Sequence, residues 1–184
     1  MSVTIARWTL DDYHRMIEAG ILTDRRVELL NGEIIEMPPE APEHAQGSTD
    51  TADYLRSLLG ERAVVRDAKP ITLLNSDSEP EPDVAIVQPL RTLYRSRHPE
   101  PENVFWLIEY ANTSLTKDTT IKRKVYATAG IQEYWVLDLQ NRQLKVYRDP
   151  NQGDYQSETA FMTGVIYPFA FPEVSVSVQR LLEG

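Results

Sequence analysis

The sequence predicts an α/β (α+β) protein, with one central mixed β-sheet flanked by helices and a short helix and hairpin added at the N-terminus. Three observations predict it. Short apolar runs that read as strands are interleaved with helix-period segments. The 184 residues, 41% of them hydrophobic, suffice for one core and are too few for two comfortable ones. Secondary-structure cues also continue into the last ten residues, so residues 1–184 read as a single domain.

Taken in order, Thr9-Leu10-Asp11-Asp12 is a capping box that opens a helix to about Ala19, with Gly20 as its stop. Val27 to Met37 is a hairpin. Its Asn31-Gly32 turn sits between two apolar runs, where both turn positions need positive φ. Pro38, Pro39 and Pro42 break the chain before a helix from near Glu43 to Leu59, stopped by Gly60. Residues 63–67 and 70–74 read as a strand pair or one bent strand. A polar, acidic loop from Asn75 to Pro82 leads into a short strand at 83–87. After a basic loop comes the apolar run Val104 to Ile108, closed by Glu109. A helix over Leu115 to Ala129 ends at Gly130, and residues 134–137 and 144–147 flank a turn. Alternation at Val174, Val176 and Val178 predicts a last strand with a short helical end.

Composition excludes several classes. No stretch approaches 18 apolar residues and no basic-then-apolar leader opens the chain, which argues against membrane insertion and secretion and points to the cytoplasm. With no cysteine, thiolate metal sites and cysteine nucleophiles are ruled out. The three histidines are scattered, and glycine-rich phosphate loops, Gly-x-Ser-x-Gly elbows and His-Glu-x-x-His pairs are missing. Chemistry must come from carboxylates, lysine and backbone, a set suited to a hard cation such as magnesium. Net charge is -9, unhelpful for a nucleic-acid partner. However, residues 91–149 hold 10 of the 19 Lys and Arg against 7 Asp and Glu. That permits DNA binding without demanding it, since ordinary solvated charge would look the same.

Asp83 follows Pro82 and stands at the mouth of a strand, where it either projects into a cleft or caps a turn. Glu109 closes a run that looks buried on both faces, so its charge needs a partner unless it emerges into water. On the following helix, Leu115, Asp118, Lys122, Val125 and Ala129 form one stripe at 100° per residue, with Tyr126 beside it. Arg123 and Lys124 point away. Lys122 alone of the three thus lies on a largely apolar face, aimed at a carboxylate site or paired with Asp118 four residues earlier. Glu28 shares a hairpin face with Leu30, Glu33 and Ile35. It is a further ligand candidate, with strand-surface polarity as the alternative. His44 is weaker, and Trp8, Trp106 and Trp135 read as core.

In this order the motifs resemble the bacterial Uma-type restriction-endonuclease family of the PD-(D/E)-x-K nuclease superfamily. They are Val27-Glu28-Leu29-Leu30-Asn31-Gly32-Glu33, Ser78 to Ala85, Leu107-Ile108-Glu109, Asp118 with Lys122 and Tyr126, and Tyr126 to Asp138. The likeness covers roughly residues 7 to 180. It implies a restriction-endonuclease-like fold and a metal-dependent endonuclease hydrolysing DNA phosphodiesters. Asp83, Glu109 and Lys122 would be catalytic. Magnesium, with manganese as a substitute, would sit on Asp83, Glu109, the Tyr110 carbonyl and Glu28. Two departures stand out. The superfamily's lysine position, two residues after the glutamate, is Ala111 here, so the resemblance implies a lysine moved to the helix at Lys122. The run after Glu109 also lacks the family's Ser-Pro-Ser-Thr-like pattern, reading Asn112-Thr113-Ser114-Leu115. Arg91, Arg95 and Arg97 are candidates to grip the DNA backbone, and a homodimer would suit cutting two strands. The rival readings are a catalytically silent module binding protein or nucleic acid, and a hydrolase of small phosphoesters.

Overall fold

Six strands form the central sheet: β3 (Val64–Asp67), β4 (Val84–Val87), β5 (Val104–Ala111), β6 (Glu133–Asp138), β7 (Gln143–Asn151) and β8 (Asp154–Phe161). They lie side by side in chain order, antiparallel throughout except for the parallel β5–β6 pair. The sheet is therefore mixed, as predicted. The computed structural model describes residues 5–112 and 114–183. Thr113, in the loop that departs from the family pattern, lies outside them.

Before the sheet come α1 (Leu10–Glu18), the hairpin β1 (Val27–Leu30) and β2 (Glu33–Glu36), and α2 (Pro42–Leu59). The Thr9 capping box with Asp12 is formed. Asn31 and Gly32 both take positive φ, 50° and 74°, as a tight hairpin turn requires. Between β5 and β6 the chain is helical from Leu115, with a π-helical turn over Lys117–Lys122 followed by α3 (Arg123–Thr128). After β8, the short strands β9 (Val165–Ile166) and β10 (Val176–Ser177) pair with each other, and α4 (Val178–Glu183) closes the described chain.

Strand alternation sorts the core onto the two faces of the sheet. Trp106, Ile108 and Tyr110 of β5 pack with Leu55 and Leu59 of α2 and Leu181 of α4. Leu107 and Ala111 pack on the other face with Val125 and Tyr126 of α3. Glu109 has the parity of the second set and faces α3.

The structure corrects four expectations. Residues 70–74 are not a strand: Ile71, Thr72 and Leu73 donate their amides to Pro80, Pro99 and Ser78 carbonyls instead of a neighbouring strand. The strand expected to close at Glu109 runs on to Ala111, because parallel pairing with β6 continues through Ala111 and Asp138. β8 was not foreseen at all. Trp8 is 45% exposed rather than core, whereas Trp106 and Trp135 are fully buried.

Candidate active site

Asp83 immediately precedes β4. Antiparallel register pairs Val84 with Ile108, so one further step sets Asp83 opposite Glu109 across the two strands. The Tyr110 N–H donates to Asp83 Oδ2 at 2.6 Å, which fixes that carboxylate against β5. Its other oxygen lies 3.0 Å from His44 Nε2 on α2, an ion pair whenever the imidazole is protonated. Burial alone would push the His44 pKa down. The neighbouring Asp83, with Glu40 and Asp118, outweighs that and raises it.

Lys122 is only 2% exposed. Its Nζ lies 2.8 Å from Glu109 Oε1 and 3.2 Å from Glu28 Oε2, and the Tyr126 hydroxyl donates to the same Glu109 Oε1 at 2.8 Å. Burial pushes the Glu109 pKa well up, and Asp83, Asp118 and Glu28 nearby add to this against the opposing pull of Lys122. For Lys122 burial acts downward, yet Glu109, Glu28, Asp118 and Asp83 overcome it and hold the ammonium charged well above the usual range. Asp118 does not pair with Lys122. Its Oδ2 accepts from the Ser114 hydroxyl at 2.5 Å, and its Oδ1 is buried with no hydrogen-bond partner among the described residues. Burial is the main reason its pKa is raised.

Asp83, Glu109, Lys122, Asp118 and His44 line one cavity of about 170 Å³, with Lys117, Arg26 and Glu81 also on its wall. Glu28 is not on that wall. It is buried one layer behind, its Oε1 2.9 Å from Lys117 Nζ and its Oε2 near Lys122 and the Glu81 amide. The two lysines outweigh burial and hold its pKa below the usual carboxylate value. Strand-surface polarity therefore does not describe Glu28. Tyr110 reaches the site only through its backbone, since its hydroxyl lies on the far face with Thr51 and the Leu181 carbonyl. Arg91, Arg95 and Arg97 do not line the cavity. Arg95 and Arg97 border a separate depression with His14 and His98, and Arg97 pairs with Glu100 at 2.6 Å.

The cavity's lysine-rich helical turn was half legible. The inward stripe placed Asp118 and Lys122 correctly, but nothing local marked Lys117, Arg26 or Glu81. His44 was seen only weakly, because its role depends on α2 packing against a strand that lies far along the chain.

The donor chemistry fits a hard divalent cation in part. Asp83, Glu109 and Asp118 present carboxylate oxygens to one cavity, and a buried Asp118 oxygen lacks a partner. Among the described residues, no three His, Asp or Glu side chains already converge at metal-ligand spacing. Lys122 neutralises Glu109 instead, so cation binding would need the carboxylates to turn.

A mixed sheet with an acid–lysine cavity where β4 begins and β5 ends has the architecture of restriction-endonuclease-like proteins. The same fold occurs in a crystal structure from Anabaena variabilis ATCC 29413, described as "a putative nuclease belonging to DUF820". The TM-score is 0.73 at 22% identity, covering 95% of this chain and 97% of that one. The family model described as "Uma2: Putative restriction endonuclease" matches residues 10–179, and the chain belongs to this family. No curated protein matches the sequence. Among the described residues, no helix is long and apolar enough to cross a membrane.

Proposed function

We propose that the protein is a magnesium-dependent endonuclease, with manganese as a substitute, that hydrolyses phosphodiester bonds of DNA. The observation that carries this reading is the buried Lys122–Glu109 pair, which shares a cavity with Asp83 from the adjacent strand. A lysine this deeply buried with two carboxylates is costly to build and is a mark of functional sites. Family membership supports the nuclease class.

Asp83 and Glu109, with the Tyr110 carbonyl, would hold the cation, and Asp118 offers a further oxygen. When bound, that cation supplies Lewis acidity at the phosphate and lowers the pKa of water. Tyr126 and Lys122 both engage Glu109 Oε1, which leaves Oε2 as the oxygen to turn toward a ligand. Lys122 carries three donors and spends two on Glu109 and Glu28. Its third can orient the attacking water or offset charge developing on the phosphate. Water oxygen attacks phosphorus, one P–O bond to sugar breaks, and the leaving oxygen takes up a proton.

Asp83→Ala is the first test, because the part-buried Asp83 side chain accepts one backbone hydrogen bond, from the Tyr110 N–H, and holds no ion pair with Lys122 or Lys117. Magnesium-dependent nicking of plasmid DNA should vanish while a cooperative thermal melt is kept, lowered only by the lost Tyr110 hydrogen bond, and Lys122→Ala should be equally inactive. Full activity in both variants defeats the assignment. A second reading, a silent nuclease-fold module, draws on the -9 charge and on Lys122 already neutralising Glu109. Calorimetry with manganese separates the two, since such a module has no use for a cation at Asp83 and Glu109.

A further inference from the structure

Both oxygens of Glu28 are occupied by lysines from a single helical turn: Oε1 by Lys117 at 2.9 Å, Oε2 by Lys122 at 3.2 Å. In an uninterrupted α-helix, side chains five residues apart point about 140° away from each other. They could not both reach one carboxylate directly. The π-helical turn over Lys117–Lys122 removes the obstacle by widening the helix where these two residues need to share a face.

That turn has identifiable causes in the sequence. The Thr119 and Thr120 hydroxyls donate back to the Leu115 and Thr116 carbonyls, diverting the local hydrogen-bond pattern. The Arg123 amide reaches five residues back to the Asp118 carbonyl, which also accepts from the Tyr134 hydroxyl at 3.1 Å. The distortion is thus tied down from both sides. Its result is two ammonium groups on one buried anion, with different exposures. The Lys122 side chain is 3% exposed, that of Lys117 22%, and both line the cavity.

We propose that Glu28 is a positioning residue, the anchor of a two-lysine clamp, and that Lys117 is the outer arm, contacting a backbone phosphate of nucleic acid at the cavity mouth. This deepens the nuclease reading and rests on it. Lys117 gives one of its three donors to Glu28 and keeps the others for an anion. Glu28, lying behind the cavity wall with both oxygens taken, is not a cation ligand.

Binding of the full-length protein to a short DNA duplex is measured in EDTA across a salt series. Lys117→Met should lower the slope of log K against log salt by about 0.9, the signature of one lost phosphate contact on duplex DNA, and Lys117→Arg should restore it. Manganese calorimetry then compares Glu28→Gln and Asp83→Ala with the parent protein. Glu28→Gln should keep manganese affinity within about two-fold while kcat falls, and Asp83→Ala should lose affinity at least ten-fold. An unchanged salt slope in Lys117→Met overturns the proposal. So does a loss of manganese affinity in Glu28→Gln that matches Asp83→Ala. If Glu28→Gln does not fold, Glu28→Asp takes its place, and the Lys117 arm decides independently. A parent protein that takes up no manganese defeats the nuclease reading instead, while the salt slope still decides the role of Lys117.

Discussion

Replacing Lys122 by methionine tests how far the buried charges hold the fold together. Methionine keeps the length and apolar stem of lysine and deletes only the ammonium. Two carboxylates lose a partner at 2.8 and 3.2 Å in a place almost closed to water. Breaking a buried pair from one side typically costs about 3–5 kcal/mol, because an uncompensated charge stays behind. Here both orphans have a fallback. Glu28 retains Lys117, and Glu109 retains the Tyr126 hydroxyl and, with its pKa already raised, can take up a proton. The lower end therefore applies, about 3 kcal/mol, or roughly 6–12 °C in Tm for a chain of this size. Urea denaturation at pH 7 measures it directly. The double variant Lys122→Met with Glu109→Gln should recover part of the loss, since it removes the stranded charge as well. If Lys122→Met melts with the parent protein, the ion pair is not holding this part of the fold and the argument from burial fails.

Three further outcomes follow from local geometry. Asp138 accepts from the Asn141 amide, the Asn141 side chain and the Gln143 side chain, which hold its pKa below the usual value of 3.8 against the effect of burial. A depressed carboxylate contributes stability above its unfolded pKa and loses it as pH falls through the folded one. Asp138→Asn should thus be less stable by about 1–2 kcal/mol at pH 7, with the gap closing below about pH 4 in acid titrations. Gly47→Ala would put a Cβ 2.8 Å from Tyr110 Cε1, on a ring pinned by hydroxyl contacts to Thr51 and the Leu181 carbonyl. Overpacking of about 1–3 kcal/mol outweighs the roughly 1 kcal/mol gained in helix propensity, so the melting temperature should fall; a rise would show the ring has room to move. Tyr126→Phe removes a buried donor to Glu109 and should cost about 1–2 kcal/mol by chemical denaturation, with no effect if that hydroxyl is not engaged.

Local signals carried the N-terminal half of the architecture well. The Thr9 capping box and the Asn31-Gly32 turn depend on neighbours in sequence, and both form as read. The inward stripe that singled out Lys122 survives as a burial pattern, although the helix bearing it is not a regular α-helix. What stayed hidden was set by distant partners. The π-helical turn relies on Tyr134 from β6, and Glu28 finds Lys117 from 89 residues away. β8 escaped notice because an edge strand with one wet side needs no sustained alternation: of its eight residues only Tyr155 is buried. Conversely, residues 70–74 look like a strand because they are apolar, but Ile71 and Leu73 are core residues in an extended connection whose amides are spent elsewhere. Hydrophobicity reported their burial correctly and their pairing wrongly.

The acidity of the chain then becomes part of the proposed mechanism rather than an objection to it. Five carboxylates line the cavity, Glu40, Glu81, Asp83, Glu109 and Asp118, against three permanent cations, Arg26, Lys117 and Lys122. A DNA phosphate held at the mouth by Lys117 still meets net repulsion from that surplus further in, where Lys122 is spent on Glu109 and Glu28. One divalent cation matches the excess. On the proposed reading the cation therefore strengthens a hold on nucleic acid that Lys117 begins at the cavity mouth, letting phosphate move in toward the carboxylates. By linkage, bound duplex must strengthen cation binding by the same factor. A silent binding module built on this fold would have no reason to keep such an excess of carboxylates around one cavity. Glu40 is paired with Arg26 and Glu109 with Lys122, so the acids without a Lys or Arg partner among the described residues are Glu81, Asp83 and Asp118, and a divalent cation is the partner that would satisfy them.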